Sequence, residues 1–141
     1  MKIVVIDGQG GSLGKTIVNQ LKKNIPDLKL YAIGTNSIAT LAMRKAGADY
    51  CASGENPVIV ACQDADIIIG PLGIIAADSL MGEITFAMAM AIGKSKAHKI
   101  LIPVSKCRIT VTGVQDLPYN NYIDIAIASI KKILEEADKS Y

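Results

Sequence analysis

Apolar residues along this chain follow two patterns: short unbroken β-branched runs, and longer stretches in which they recur every three or four positions. The first pattern reads as strands covered on both faces and the second as amphipathic helices. Their alternation predicts parallel strands linked by crossover helices in a doubly wound α/β sheet. Residues 2–6 are predicted as strand one and residues 12–23 as the next helix, with Ile17, Val18 and Leu21 on one face and Pro26 closing the region. Strand two covers residues 28–33 and ends at Gly34; Ser37 then caps a helix running to Ala46, with Gly47 as its stop signal. A short third strand at 48–51 leads into Ser53-Gly54-Glu55-Asn56-Pro57, where Asn56 as N-cap and Pro57 at the first helical position suit a short helix to Cys62. Ile67-Ile68-Ile69 is strand four. After a Gly/Pro loop come a helix over 82–92, strand five at 99–102, a sixth strand-like run at 109–114, and a last helix over 120–137. That helix places Ile123, Ile127, Ile130 and Leu134 on one stripe, and no linker or repeat interrupts the order, so one domain over residues 1–141 is expected.

With 141 residues, 50% apolar and 20% charged, the chain is large enough to build a core without disulfide or metal staples. A net charge of +2, no Trp and a single Phe argue against a nucleic-acid partner. The charge is nonetheless segregated: residues 1–47 carry +5, residues 48–93 hold six acids and no Lys or Arg, and residues 94–141 carry +3. The longest uncharged run within residues 67–92 is 11 residues, short of a membrane span. The opening apolar run, residues 3–6, is too short for a secretory signal. Cys51, Cys62 and Cys107, separated by 11 and 45 positions, form neither a CxxC pair nor a zinc knuckle. The expectation is a cytoplasmic protein with reduced, buried thiols, no metal site and no membrane segment.

The most specific signal is Asp7-Gly8-Gln9-Gly10-Gly11-Ser12-Leu13-Gly14-Lys15-Thr16, in which Gly8-x-x-Gly11-x-x-Gly14 straddles a strand-to-helix turn. Glycines there permit positive φ and close backbone approach to a phosphate, while the helix N-terminus offers free N–H groups to an anion. Gln9 breaks both the strict GxGxxG spacing ending at Gly14 and the GxxxxGK(S/T) spacing of a P-loop, leaving a GxxGxxG variant. Lys15 and Thr16 are either surface residues or phosphate-facing. At the end of strand two, where an NAD site places Asp or Glu, the chain has Gly34-Thr35-Asn36-Ser37; this disfavours NAD, and NADP less so, although Arg44 lies too far along the helix to replace the usual arginine. Thr35, Asn36 and Ser37 are instead expected to donate to a ribose or phosphate. Gly70-Pro71-Leu72-Gly73, after strand four, brings a third tight loop to the same edge. Asp78 and Glu83, the only acids between Asp66 and Asp116, are candidate acid, base or Mg²⁺ ligands, or else stabilise the positive end of the following helix.

Several enzyme signatures are absent. His98, the only histidine, falls at the edge opposite the loops, and no tyrosine has a lysine four residues on, which excludes the short-chain reductase pair. Cys107, between Lys106 and Arg108, reads as an unreactive thiol rather than a nucleophile. Ile84 to Ile92 carries no charge and so has no solvent face; a second copy of the chain is the expected cover, giving a homodimer through this helix.

Taken together, Ile6-Asp7-Gly8-Gln9-Gly10-Gly11, Gly34-Thr35-Asn36, Gly54-Glu55-Asn56, Asp64-Ala65-Asp66-Ile67-Ile68-Ile69-Gly70-Pro71 and Gly82-Glu83-Ile84-Thr85 resemble a family of small uncharacterised bacterial proteins. That resemblance implies a three-layer, mostly parallel, five- or six-stranded Rossmann-like sheet and no assigned activity. Over about 15 residues the glycine loop is also similar to that of prephenate dehydrogenases and extended short-chain reductases. The residues lead to a protein that binds a nucleotide, dinucleotide or other phosphorylated small molecule, with Gly8, Gln9, Gly10, Gly11, Ser12 and Leu13 at the phosphate, Gly34, Thr35 and Asn36 at the ribose, and Gly70 and Pro71 beside them. The competing expectation is a non-catalytic sensor or scaffold that responds to ligand through oligomerisation.

Overall fold

The computed structural model describes residues 1–104 and 108–140. Its elements run β1 (Ile3–Asp7), α1 (Ser12–Asn24), β2 (Leu30–Gly34), α2 (Ser37–Lys45), β3 (Tyr50–Ser53), α3 (Glu55–Gln63), β4 (Ile67–Pro71), one 3₁₀ turn (Leu72–Ile75), α4 (Phe86–Lys94), β5 (His98–Ile102) and α5 (Tyr119–Asp138). The five strands form one all-parallel sheet in the order β3-β2-β1-β4-β5. β1 and β4 are central and completely buried, which is why both are apolar at nearly every position.

Side chains alternate across the sheet and divide the core in two. Ile3 and Val5 of β1 face Ile17 and Leu21 of α1, Met43 of α2 and Ile127 of α5. Val4 and Ile6 face Val58 of α3 and Met88 and Ile92 of α4. The three-layer Rossmann-like arrangement expected from the alternation of runs is therefore present, with five strands.

The sixth run is not a strand. Residues 109–114 are exposed and irregular, with Arg108 and Gly113 at positive φ and a turn from the Val114 N–H to the Val111 carbonyl. Their β-branched residues satisfy strand propensity, but among the described residues no ladder joins them to β5, the edge strand of the sheet. Helix starts also move. Asn36, not Ser37, caps α2 by accepting from the Ala39 N–H at 2.9 Å. α3 begins at Glu55 after Gly54, so Pro57 takes the third position, where a missing N–H costs no helical bond. α4 begins at Phe86 under a Thr85 cap rather than at Gly82. Residues 76–85 stay irregular because Asp78, Leu80, Met81 and Gly82 all adopt positive φ and the Asp78 N–H closes on the Ile84 carbonyl at 2.8 Å. With α4 starting so late, neither Asp78 nor Glu83 lies in its first turn, which removes the helix-end role for both.

The outer side of α4 is as apolar as its inner side. Met88 and Ile92 are buried in the subunit, while Phe86 remains 71% and Met90 48% exposed. α5 does not cover them, because it packs on the opposite sheet face.

Candidate functional site

All strands of a parallel sheet end on one edge, so the segments following β1, β2, β4 and β5 meet there. The chain leaves β1 for α1 on one face and reaches β4, its neighbour on the other side, only after crossing to the opposite face. A crevice opens outside the carboxyl ends at such a reversal. Here it is a cleft of about 350 Å³ lined by Asp7, residues 8–13, Pro71, Leu80, Val104 and Tyr119.

The glycine loop is shaped by close contacts with its surroundings. Gly11 sits at φ 73 with its α-carbon against α2, where an added Cβ would come within 2.6 Å of the Ala39 Cα. At Gly8 a Cβ would fall 2.6 Å from Thr35 Oγ1 and 3.2 Å from Glu83 Oε1. Asp7, only 5% exposed, ties the loop down: its Oδ1 accepts the Gly8 N–H at 2.8 Å and its Oδ2 the Gly14 N–H at 2.7 Å. Gly14 is the third residue of α1, so Asp7 supplies the cap that Gly11 lacks a side chain to give. The N–H groups of Gly10, Ser12 and Leu13 make no hydrogen bond among the described residues, and all three residues line the cleft.

Glu83 enters from the 76–85 loop. Its Oε1 accepts from the Gln9 N–H at 2.9 Å, the Thr35 hydroxyl at 2.6 Å and the Asn36 amide at 2.7 Å; the same amide also reaches the Gln9 carbonyl at 3.0 Å. Burial raises the Glu83 carboxyl, but the three hydrogen bonds together outweigh it and hold the group below the ordinary glutamate value. A glutamate so held is an anionic acceptor at neutral pH and has no proton to give. Across the cleft, burial pushes the Tyr119 hydroxyl above its usual value; a hydrogen bond with Thr16 opposes the shift and the Asp7 charge reinforces it. Tyr119 therefore stays protonated, as a donor.

Of the residues singled out from the sequence, Gly8, Gln9, Gly10, Gly11, Ser12, Leu13 and Pro71 share this cleft. Gly34, Thr35 and Asn36 stand behind it. Thr35 and Asn36 donate to Glu83, and the Gly34 N–H donates to the Thr40 hydroxyl at 3.1 Å, so the donors expected at a ribose are already engaged. Gly70 lies within β4, where a Cβ would meet the Ile6 carbonyl oxygen at 2.2 Å, and is a packing residue. Asp78 is exposed and outside the cleft, Lys15 is exposed, and Arg44 lines a separate groove along α2. His98 is exposed at the start of β5, away from the loops. Cys62 is buried, and burial drives its thiol up to about 11; Cys51 is half-buried with its thiol raised for the same reason, and Cys107 lies outside the described residues. Among the described residues no group of three or more His, Cys, Asp and Glu is placed to hold a metal ion, and no helix is long and apolar enough to cross a membrane.

Asp7, Leu80, Val104 and Tyr119 are lining residues that sequence reasoning missed, Asp7 even though it opens the glycine-loop segment. Val104 follows β5 and Tyr119 opens α5, positions that a parallel sheet delivers to the carboxyl edge; that topological signal was available. Leu80 and the reach of Glu83 to the end of β2 had none.

Residues 2–135 match the model of a family described as Domain of unknown function (DUF3842). No curated protein matches the chain. Among solved structures the chain is similar to a dodecameric FMN-dependent Ubix-like decarboxylase from Escherichia coli O157:H7, with 14% identity and a TM-score of 0.46 over 96% of this chain and 95% of that one.

Proposed function

The chain belongs to the DUF3842 family, and from that premise we propose that it binds a phosphorylated small molecule in the cleft above β1, with the phosphate on the N–H groups of Gly10, Ser12 and Leu13. The observation that carries this reading is the unspent set of backbone donors where the 13-residue helix α1 opens onto the cleft at the strand-order reversal. Oriented N–H groups and the positive end of the helix favour an anion there. The volume lies at the lower end of the range for ligand sites, so a mononucleotide or sugar phosphate fits better than a dinucleotide. Engagement of Thr35 and Asn36 by Glu83 points the same way. Leu13, Pro71, Leu80 and Val104 supply the apolar wall for the rest of the ligand, and Tyr119 a donor at its rim.

A thermal-shift panel of mononucleotides, sugar phosphates, NAD, NADP, FAD and CoA tests the reading. A true ligand at 100 times its Kd adds about 2.7 kcal/mol of stability, a shift of roughly 10 °C for a domain of this size. No shift with any phosphorylated compound would overturn it.

A second reading, a ligand-responsive scaffold acting through self-association, is favoured by Phe86 and Met90, one helical turn apart on the uncovered side of α4. We expect light scattering at micromolar concentration to return the mass of two chains. The mass of one would remove the dimer, and turnover of the bound ligand would favour an enzyme instead.

A further inference from the structure

We propose that Glu83 is a tethered competitor for the ligand's phosphate, so that occupation of the cleft releases the carboxylate and with it the 76–85 loop. This rests on the phosphate reading above and assigns it a response. Three donors from two separate segments, the Gln9 N–H, the Thr35 hydroxyl and the Asn36 amide, converge on one carboxylate oxygen at 2.6 to 2.9 Å. That is the reception an external anion would be given, and the protein's own side chain now receives it. Gln9 lines the cleft and immediately precedes Gly10, the first of the open N–H groups, so a phosphate seated on Gly10, Ser12 and Leu13 would sit one residue from the N–H that Glu83, partly buried beside the cleft, now holds. Two anions so close repel, and the phosphate offers its own acceptor oxygens to the Gln9 N–H, the one of the three donors whose residue lines the cleft.

The segment bearing Glu83 is built to let go. Asp78, Leu80 and Met81 are non-glycine residues in the left-handed region, an arrangement that persists only while surrounding contacts enforce it. Most of those contacts close within the loop itself, from the N–H groups of Asp78, Ser79, Gly82, Glu83 and Ile84 to carbonyls of the same stretch. Besides the Glu83 carboxylate, its ties outward among the described residues are the Ser79 hydroxyl and the Ala76 N–H on the Gly73 carbonyl and the Leu80 side chain, packed on the core at the cleft wall. Met81, at the tip, is 95% exposed. Ile84 is fully buried and anchors the start of α4, so the part free to move is the stretch before it. Because coupling between two events is reciprocal, whatever weakens the Glu83 contact strengthens phosphate binding.

Inorganic pyrophosphate is the probe. Glu83→Gln keeps an oxygen acceptor for the three donors and removes the charge, and it should bind pyrophosphate about tenfold or more tightly than the wild type. In the wild type, saturation with pyrophosphate should raise amide hydrogen exchange over residues 79–83 several-fold, a readout that needs no variant. Unchanged affinity in Glu83→Gln, or unchanged exchange in the saturated wild type, would overturn the latch while leaving the phosphate site standing. Failure of both proteins to bind pyrophosphate at all would remove the site and the latch together.

Discussion

Replacing Gly10 by leucine is expected to leave the fold intact and to weaken ligand binding by about a hundredfold or more. Gly10 is not at positive φ, and a Cβ built there meets nothing within 4 Å, so a side chain has room and the backbone needs no change. Folding stability should stay within about 0.5 kcal/mol of the wild type, the usual range for a surface substitution. The same side chain would stand where the proposal places the phosphate. Losing that contact and blocking the approach to Ser12 and Leu13 corresponds to at least about 2.7 kcal/mol of binding free energy. Parallel denaturant titrations and ligand titrations of the two proteins check both halves. Wild-type affinity in Gly10→Leu would mean that the ligand does not sit on this loop.

Asp7→Ala should act in the opposite sense, through the fold. The carboxylate is buried and holds two N–H groups, Gly8 at one end of the turn and Gly14 in the first turn of α1. Hydrogen bonds to a charged group contribute about 1.5 to 3 kcal/mol each, and removing the acceptor leaves donors with reduced access to water. A loss of about 3 kcal/mol is expected after partial hydration from the cleft, lowering Tm by roughly 10 °C for a domain of this length. Thermal denaturation followed by circular dichroism measures it. A change below about 1 kcal/mol would show that the turn is held by its glycines and not by Asp7.

The elements legible in the sequence are those whose burial admits one kind of residue. Ile67-Ile68-Ile69 has no polar position because β4 is covered on both faces, and the glycine spacing after β1 reflects contacts with Ala39 and Thr35 that no larger residue would allow. The run at 109–114 reads as a strand because propensity is local, whereas strand pairing is not; β5 offers its edge, but the chain turns at Gly113 instead of aligning with it. Among site residues, the loop from Gly8 to Leu13 could be read because it is continuous in sequence. Glu83 was visible as an isolated acid in an apolar block, yet its partners lie 74, 48 and 47 residues away, and nothing local to Gly82-Glu83-Ile84 indicates which loop it reaches. Thr35 and Asn36 read as donors to a ribose or phosphate, and in the structure both donate to Glu83, a side chain of the same protein.

The phosphate site itself is tested most directly by amide-resolved NMR of the wild-type protein titrated with the phosphorylated compound that gives the largest thermal shift. The largest perturbations are expected at the N–H groups of Gly10, Ser12 and Leu13, which make no hydrogen bond among the described residues, with smaller ones at Gln9, Leu80 and Tyr119. Saturable binding that leaves those three amides unmoved, with its perturbations centred on the α2 groove around Ser37 and Arg44 or elsewhere, would contradict that placement.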